Sequence, residues 1–482
     1  MVPRMKSLRL GVSKAVIAAL IVVIIVIAGI AGYLATRPAP TPTTTPSPTT
    51  TPTPISTTPT ATTTPTPTKT TPTTTTPTVT KPKIKEVVIG LIEPLTGSHA
   101  VFGIEAKQAT ELMIDIINNE LGGIKSLGGA KLKLVIEDAG ESPDTSKLAA
   151  EKLISEHHPT IIVGAYISRL TAAVAEVTER NKVILVMDGL VDSLTEQGWK
   201  YVFRAAPKAS AHGKSAVDFI MEMAKKKGIE IKTAVVMNED SIFGQCVARG
   251  AIEEFKKYGV EVLEHIQYPY DISDATPLVT KLKDLNPDVV VSCPYFHDGV
   301  LIAKTAQQMG FKPVFFAGAG ACGYVDPDSI KAAGKAVEWY TNTYSFNPYR
   351  PTEWCKKVVE MFKERYGKLP TEAGGIIFYS VAVVYEALEK AGEMFPDDPL
   401  NPDNLRAAFL ALDLTDEISI AAQLYPTGHI KFAENGDNIY AGTAILQVQT
   451  IEGSLTPVMV WPEPQPGVEP IFPRPDWSGT SS

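Results

Sequence analysis

The stretch VVIGLI, residues 87–92, is a short apolar run, and the segment from Ala106 to Asn118 that follows it carries its apolar residues at helical spacing. A strand that is apolar on both faces, followed by an amphipathic helix, is the first half of a βαβ unit. The pattern repeats outward. Residues 131–137 alternate as a strand, 145–156 are helical, 160–163 are apolar again, 172–180 are helical and 183–187 read as a buried strand. The same rhythm restarts at 232–237 and runs through helix 243–258, strand 262–268, helix 275–285, strand 288–293, helix 300–309 and strand 313–317. Two βα series of similar size imply an α/β fold of two doubly wound parallel-sheet lobes, joined by a hinge and facing each other across a ligand cleft. About 370 residues also exceed one comfortable core. The extended segment 336–345 and helices 352–366 and 372–391 break the alternation, as if the chain returned to the first lobe. The boundaries expected are 84–208 for lobe 1 with a return at 342–415, 209–341 for lobe 2 with a return at 416–455, and a Pro-rich tail at 456–482.

Residues 1–83 are of a different kind. They hold eight basic side chains and no acidic one, so a net charge of −8 for the whole chain leaves −16 for the rest. A body that acidic repels phosphate backbones, and nucleic acid is not an expected partner. Ala15 to Ala35 is uncharged and long enough, at about 1.5 Å per residue, to span a hydrocarbon core. The basic residues before it place the N-terminus on the cytoplasmic side. Residues 1–36 are therefore expected to be a membrane anchor, with a cleaved secretion signal as the alternative, because Gly29-Ile30-Ala31 offers small residues for cleavage. Between Thr41 and Thr80, 34 of 40 residues are Thr or Pro. Such a stretch builds no core and is expected, over 37–83, to be an extended polyproline-like stalk or a plain linker. Its hydroxyls suit O-glycosylation. The composition implies a folded body held outside a cell membrane.

Catalytic signatures are missing: there is no GxSxG, HExxH, GxxxxGK[ST] or GxGxxG opening a helix after a strand. His157-His158 reads as a solvated helix end. His297-Asp298 follows a strand and reads as a helix cap, or as a pair facing the cleft. No enzyme, cofactor or metal site is expected. The four cysteines lack a CxxC spacing, and Cys293 and Cys322, at the ends of neighbouring strands, are the one pair expected to approach; four isolated thiols are the alternative.

A longer set of residues carries a resemblance. Ile89-Gly90-Leu91 leads into Pro94-Leu95-Thr96-Gly97, then Ala100, Gly103, Asp115 to Asn118 and Gly122-Gly123-Ile124. Further along stand Asp138, Gly164 with Ser168 and Thr171, Val202-Phe203-Arg204 with Pro207, Phe243-Gly244, Tyr366-Gly367-Lys368 with Pro370, Tyr379, and Gly428 with Phe432 and Gly436. In that order the chain resembles type I periplasmic binding proteins of the branched-chain amino acid and amide class, which deliver solutes to ABC importers. The anchor and stalk resemble the archaeal way of tethering them. The resemblance implies a small-molecule ligand, ABC permease subunits as partners, and contact with the membrane through the N-terminal helix.

It also implies site residues. Ser168 opens a helix after the third strand, where free backbone N–H groups favour a carboxylate, and Thr171 matches a nearby hydroxyl position. An ordinary N-cap is the other reading of Ser168, in which case its loss costs only about 1 kcal/mol. The loop Met187-Asp188-Gly189-Leu190 places a leucine where a threonine is usual. Phe102 and Phe243 replace tyrosines, keeping an apolar wall and losing its hydroxyls. Tyr295 lines the second-lobe wall or simply packs there. Gly320 lies in the 317–321 segment, which holds no acid to receive an ammonium; Asp188 takes that role, or the ligand has no amine. Arg169 favours an anionic group if it faces the cleft, and is otherwise a solvated helix residue. A sensory domain of the same fold is the alternative function, although the 14 residues before the apolar run are too few for a signalling module.

Overall fold

The computed structural model describes residues 84–475 apart from Cys322. The expected anchor and stalk lie outside the described residues. Two sheets form the body. In the first, β1 (Glu86–Glu93), β2 (Lys131–Asp138), β3 (Ile161–Gly164), β4 (Ile184–Val186) and β5 (Val202–Phe203) stand in the order β2-β1-β3-β4-β5. All its neighbours are parallel. Helices α1 (Ala100–Asp115), α2 (Pro143–His157) and α3 (Ser168–Asn181) connect them. Ser142 starts α2 with a reciprocal capping box to Thr145 and a proline at the next position.

The second sheet follows α4 (Ala209–Lys227). Its strands are β6 (Thr233–Glu239), β7 (Glu261–Tyr268), β8 (Val289–Cys293), β9 (Phe315–Ala319), β10 (Thr341–Tyr344), β13 (Ala444–Ile451) and β14 (Ser454–Trp461), in the order β14-β13-β10-β9-β8-β6-β7. The two last-formed strands run antiparallel to their neighbours; the other pairs are parallel. Helices α5 (Ile242–Lys257), α6 (Thr276–Leu285), α7 (Phe296–Gln308) and α8 (Pro327–Ala333) connect them. Glycine lets α4 and α5 meet backbone to backbone: a Cβ on Gly213 would lie 2.0 Å from the Val247 carbonyl oxygen, and one on Gly250 2.0 Å from that of Ser210.

Between β10 and β13 the chain forms α9 (Glu353–Tyr366), α10 (Glu372–Met394), α11 (Pro402–Leu410), α12 (Ile420–Leu424) and the small antiparallel pair β11 (Asp413–Thr415) and β12 (His429–Lys431). Helix α10 packs on α1 and carries α11 and α12. The chain rejoins the second sheet only at Ala444, later than the boundary at 416, because the short β11–β12 hairpin stays with α12.

The segment expected to be a tail from 456 begins instead as the rest of strand β14. Pro457 hid it. A proline is tolerated there because β14 is the edge strand and needs no ladder donor on its open side. Beyond it, the Arg474 amide donates to the Val314 carbonyl and Phe472 is buried. Cys293 is a free, buried thiol, so the pairing with Cys322 is not formed; Cys322 itself is outside the described residues. Asp298 is no helix cap. It sits inside the first turn of α7, fully buried, with its carboxylate accepting from the Tyr268 hydroxyl at 2.8 Å. Burial pushes its pKa up to about 7. His297 instead turns outward, its Nε2 lying 3.2 Å from the Ile272 carbonyl.

Candidate functional site

Each sheet has a switch point, where neighbouring strands send their connections to opposite faces. In the first it lies between β1 and β3, and in the second between β6 and β8. Loops leaving the carboxyl ends at such points diverge and leave a crevice. The residues that follow these strands are Ser98 and His99, Tyr166 to Arg169, Asp240 to Phe243, and Tyr295. All of them line one cleft.

The cleft has two chambers. The outer one, of about 450 Å³, is lined from the first lobe by Ser98, His99, Ile167, Ser168 and Arg169 and from the second by Glu239 to Phe243, Tyr270 and Tyr295. The inner one holds only about 10 Å³, the room for one water. Its walls are Tyr166, Ser168, Asp188 and Leu190, facing Phe243, Tyr295 and Ala321, with Glu372 from the start of α10. Aromatic rings close the space between the chambers. Phe102 stacks on Tyr166 at 5.0 Å, and Tyr295 touches Phe102 and Phe243 at 6.1 Å each. At the mouth His99 stacks on Tyr270 at 5.4 Å across the two lobes. Such offset and edge contacts hold the lobes closed.

Of the residues singled out in the sequence, Ser168, Asp188, Leu190, Phe243 and Tyr295 meet in the inner chamber, and Arg169 lines the outer one. Ser168 is the first residue of α3 but not its cap. Its Oγ accepts from the amides of Leu190 at 3.1 Å and Val191 at 3.2 Å, which ties the β3 and β4 loops together and leaves its own hydrogen free to donate. Arg169 donates to the Glu141 carbonyl at 3.3 Å from an exposed position. Three of the remaining expectations, Thr171, Gly189 and Gly320, are corrected. Thr171 is fully buried behind the wall and bonds the Ile167 carbonyl at 3.3 Å, one helical turn back. Gly189 makes room for it, since a Cβ there would lie 2.4 Å from the Thr171 hydroxyl. Gly320, at φ +74°, makes room for the Phe243 ring, from which a Cβ would lie 2.9 Å, rather than lining a chamber. Phe102 shapes the aromatic partition and opens onto a separate cavity with Glu105 and Lys368.

Sequence reasoning missed Tyr166, Glu239, Glu372 and Glu93. Glu239 is buried at the end of β6 and accepts from the Ser241 hydroxyl at 2.5 Å and amide at 2.7 Å. Burial raises its pKa, against those two bonds. Glu372 accepts from the Ser345 amide at 2.7 Å. Strand-end position was the usable signal for Glu93 and Glu239. Tyr166 stood two residues before Ser168 in a loop already singled out.

The sequence pattern of the periplasmic binding protein family matches residues 86–450. The chain is 29% identical over 397 residues to Leu/Ile/Val-binding protein homolog 8 of Brucella abortus (strain 2308), covering 80% of this chain and 93% of that one. Its fold is similar to that of a leucine-binding protein from Thermotoga maritima MSB8, with TM-score 0.64 and 24% identity over 77% of this chain and 97% of that one. It is also similar to a solute-binding protein of an ABC transporter from Rhodopseudomonas palustris BisB5, solved with 3,4-dihydroxybenzoic acid. There the TM-score is 0.65 and the identity 22%, over 82% of this chain and 99% of that one.

Proposed function

Because the chain belongs to the periplasmic binding protein family and is a solute-binding protein of an ABC transporter rather than an enzyme, we propose that it captures one small polar solute in the inner chamber. One observation carries the reading: Ser168, Asp188 and Leu190 of one lobe face Phe243, Tyr295 and Ala321 of the other across that chamber. A site assembled from two lobes is complete only when they close, which makes the closed shape a signal that solute is aboard. In the present closure the side chains fill the space, so the solute enters as the lobes part. The free hydrogen of Ser168 and the first amides of α3 suit a carboxylate or amide oxygen, while Phe102, Tyr166, Phe243 and Tyr295 enclose an apolar or aromatic body. The relatives named for leucine, isoleucine and valine and the one solved with an aromatic acid bracket the class: an amino acid or a small organic acid.

A thermal-shift panel of amino acids, amides, ureas and organic acids tests this. A solute at about 100 times its Kd stabilises the folded state by about 2.7 kcal/mol, a clear rise in Tm. A panel in which nothing moves Tm sinks the reading.

We place the folded body outside the cell membrane, where it hands its solute to permease subunits. The uncharged run 15–35 and the Thr/Pro stretch support a tether there. Among the described residues no helix is long and apolar enough to cross a membrane. Mature protein from native membranes is expected to keep Met1 to Ala35; N-terminal sequencing that starts after Ala31 rejects the tether.

A further inference from the structure

Glu93, the last residue of β1, and Asp188, two residues past β4, are both fully buried under the inner chamber. Among the described residues no donor stands in hydrogen-bond geometry to any of their four oxygens. Each carboxyl instead lies within hydrogen-bonding reach of the other, a contact that becomes a bond only when one of them carries a proton. Two ionised carboxylates that close, cut off from water, cannot both persist. Among the described residues the other titratable groups facing the pair are Tyr379 and Glu372 of α10, with Tyr166 and Tyr295, which line the chamber beside Asp188. Tyr166, from the loop after β3, adds a nearby amide. Among the described residues no Lys, Arg or His lines the inner chamber, and Arg169 lines the outer one.

We propose that Glu93 and Asp188 share one proton, so that the chamber floor presents a single negative charge, and that this charge selects a solute bearing a protonated amine. The inference rests on the solute-binding reading above and names the class of solute. Its polarity follows from the surroundings. Burial acts first on both groups, and the neighbouring Asp188 charge then lifts Glu93 well above the usual carboxylate range. The amides of Tyr166 and of Asp188 itself, with the bond from Glu93, oppose burial at Asp188, which is held at about 6. At neutral pH the proton therefore sits on Glu93 and the charge on Asp188, which lines the chamber. Around it the faces of Tyr166, Phe243 and Tyr295 also attract a cation. Among the described residues no group of three or more His, Cys, Asp or Glu is arranged to hold a metal ion, so the cation that fits is organic. A solute amine must find Asp188 ionised. Binding below about pH 6 expels a proton, and affinity falls about tenfold per pH unit there.

The test uses the full chain and three matched sets of probes: the amino acids, the amines left when their carboxyl is removed, and the acids left when their amine is removed. 4-Hydroxybenzoate is added as an aromatic acid. In calorimetric titration at pH 8, at least one amine-bearing probe is expected to bind, about 100-fold more tightly than its amine-free counterpart. Its affinity should weaken below about pH 6. Asp188→Asn should weaken that probe about 100-fold and flatten the pH profile. Glu93→Ala, which removes the donor to Asp188, should move the midpoint of the profile upward, and Glu93→Gln should move it back. The infrared difference between the free parent and Glu93→Gln at pH 7 should show a protonated-carboxyl band, a readout that needs no ligand and in which other protonated carboxyls such as Asp298 cancel. If amine-free acids bind and amines do not, the amine inference falls while solute binding stands. If no probe binds, both fall. A missing infrared band overturns the shared proton whatever binds.

Discussion

Replacing Arg204 by alanine is expected to cost about 3–5 kcal/mol of stability, the loss typical when one partner of a buried ion pair is removed. The residue directly after β5 is fully buried, and five bonds satisfy its guanidinium. Nε and Nη2 donate to Asp437 Oδ1 at 3.0 and 2.7 Å, Nη1 donates to the carbonyls of Leu190 at 3.0 Å and Val191 at 2.7 Å, and Nη2 also reaches the Thr195 hydroxyl at 3.0 Å. Burial by itself would raise the Asp437 carboxyl, but Arg204, then Thr195 and Lys208, bring it below its ordinary value. A depressed carboxylate contributes stability above its unfolded pKa, and that contribution is lost as the pH falls through the folded value, here below the ordinary Asp value. In the alanine variant Asp437 keeps Lys208, at 2.9 Å and partly exposed, the Thr195 hydroxyl and the Asn435 side-chain amide at 3.5 Å, while the Leu190 and Val191 carbonyls lose the guanidinium and keep the backbone amides of Ala209 and Leu194. Urea unfolding at pH 7 measures the loss. Asp437→Asn added to Arg204→Ala should recover part of it, because no uncompensated charge then remains. A single variant within about 1 kcal/mol of the parent would show that water replaces the guanidinium, and the argument would fail.

The alternation of apolar runs and helical stretches made the two sheets legible, since parallel strands buried on both faces need continuous apolar sequence, as at 87–92 and 289–293. Residues at the carboxyl ends of those strands were legible too, which is why Ser168, Asp188, Leu190, Phe243 and Tyr295 meet in one chamber. What failed was direction and distance. Thr171 lies three positions after Ser168, on the side of α3 turned toward the β4 loop. Glu372 is brought in from almost two hundred residues away by α10, and no local pattern marks it. Glu93 ends an apolar strand and looks like the first solvated residue beyond it. Only the pairing of β1 with β3, followed by the turn of the β4 loop, sets it against Asp188.

The second large effect is expected at Ser168, and the structure makes it larger than an N-cap would allow. The cap position of α3 is Ile167, and the serine hydroxyl serves the opposite loop by accepting the amides of Leu190 and Val191. Alanine leaves two buried donors without an acceptor. At about 1–3 kcal/mol each, stability should fall by about 2–6 kcal/mol rather than by the roughly 1 kcal/mol of a lost cap. Arg204 and the backbone amides of Ala209 and Leu194 hold the carbonyls of the same two residues, so the loop stays in place with one anchor fewer. Affinity should fall as well. A hydrogen bond from the hydroxyl to a charged group of the solute is worth about 1.5–3 kcal/mol, or roughly 10- to 150-fold in Kd. Loop and solute can be told apart by comparing Ser168→Ala with Arg204→Lys, which disturbs the 190–191 loop from its other side and leaves the hydroxyl. If the hydroxyl touches solute, Ser168→Ala weakens calorimetric binding more than Arg204→Lys does at equal loss of stability. If both weaken it equally, Ser168 acts only through the loop. Unchanged affinity in a folded Ser168→Ala protein would remove the residue from the site altogether.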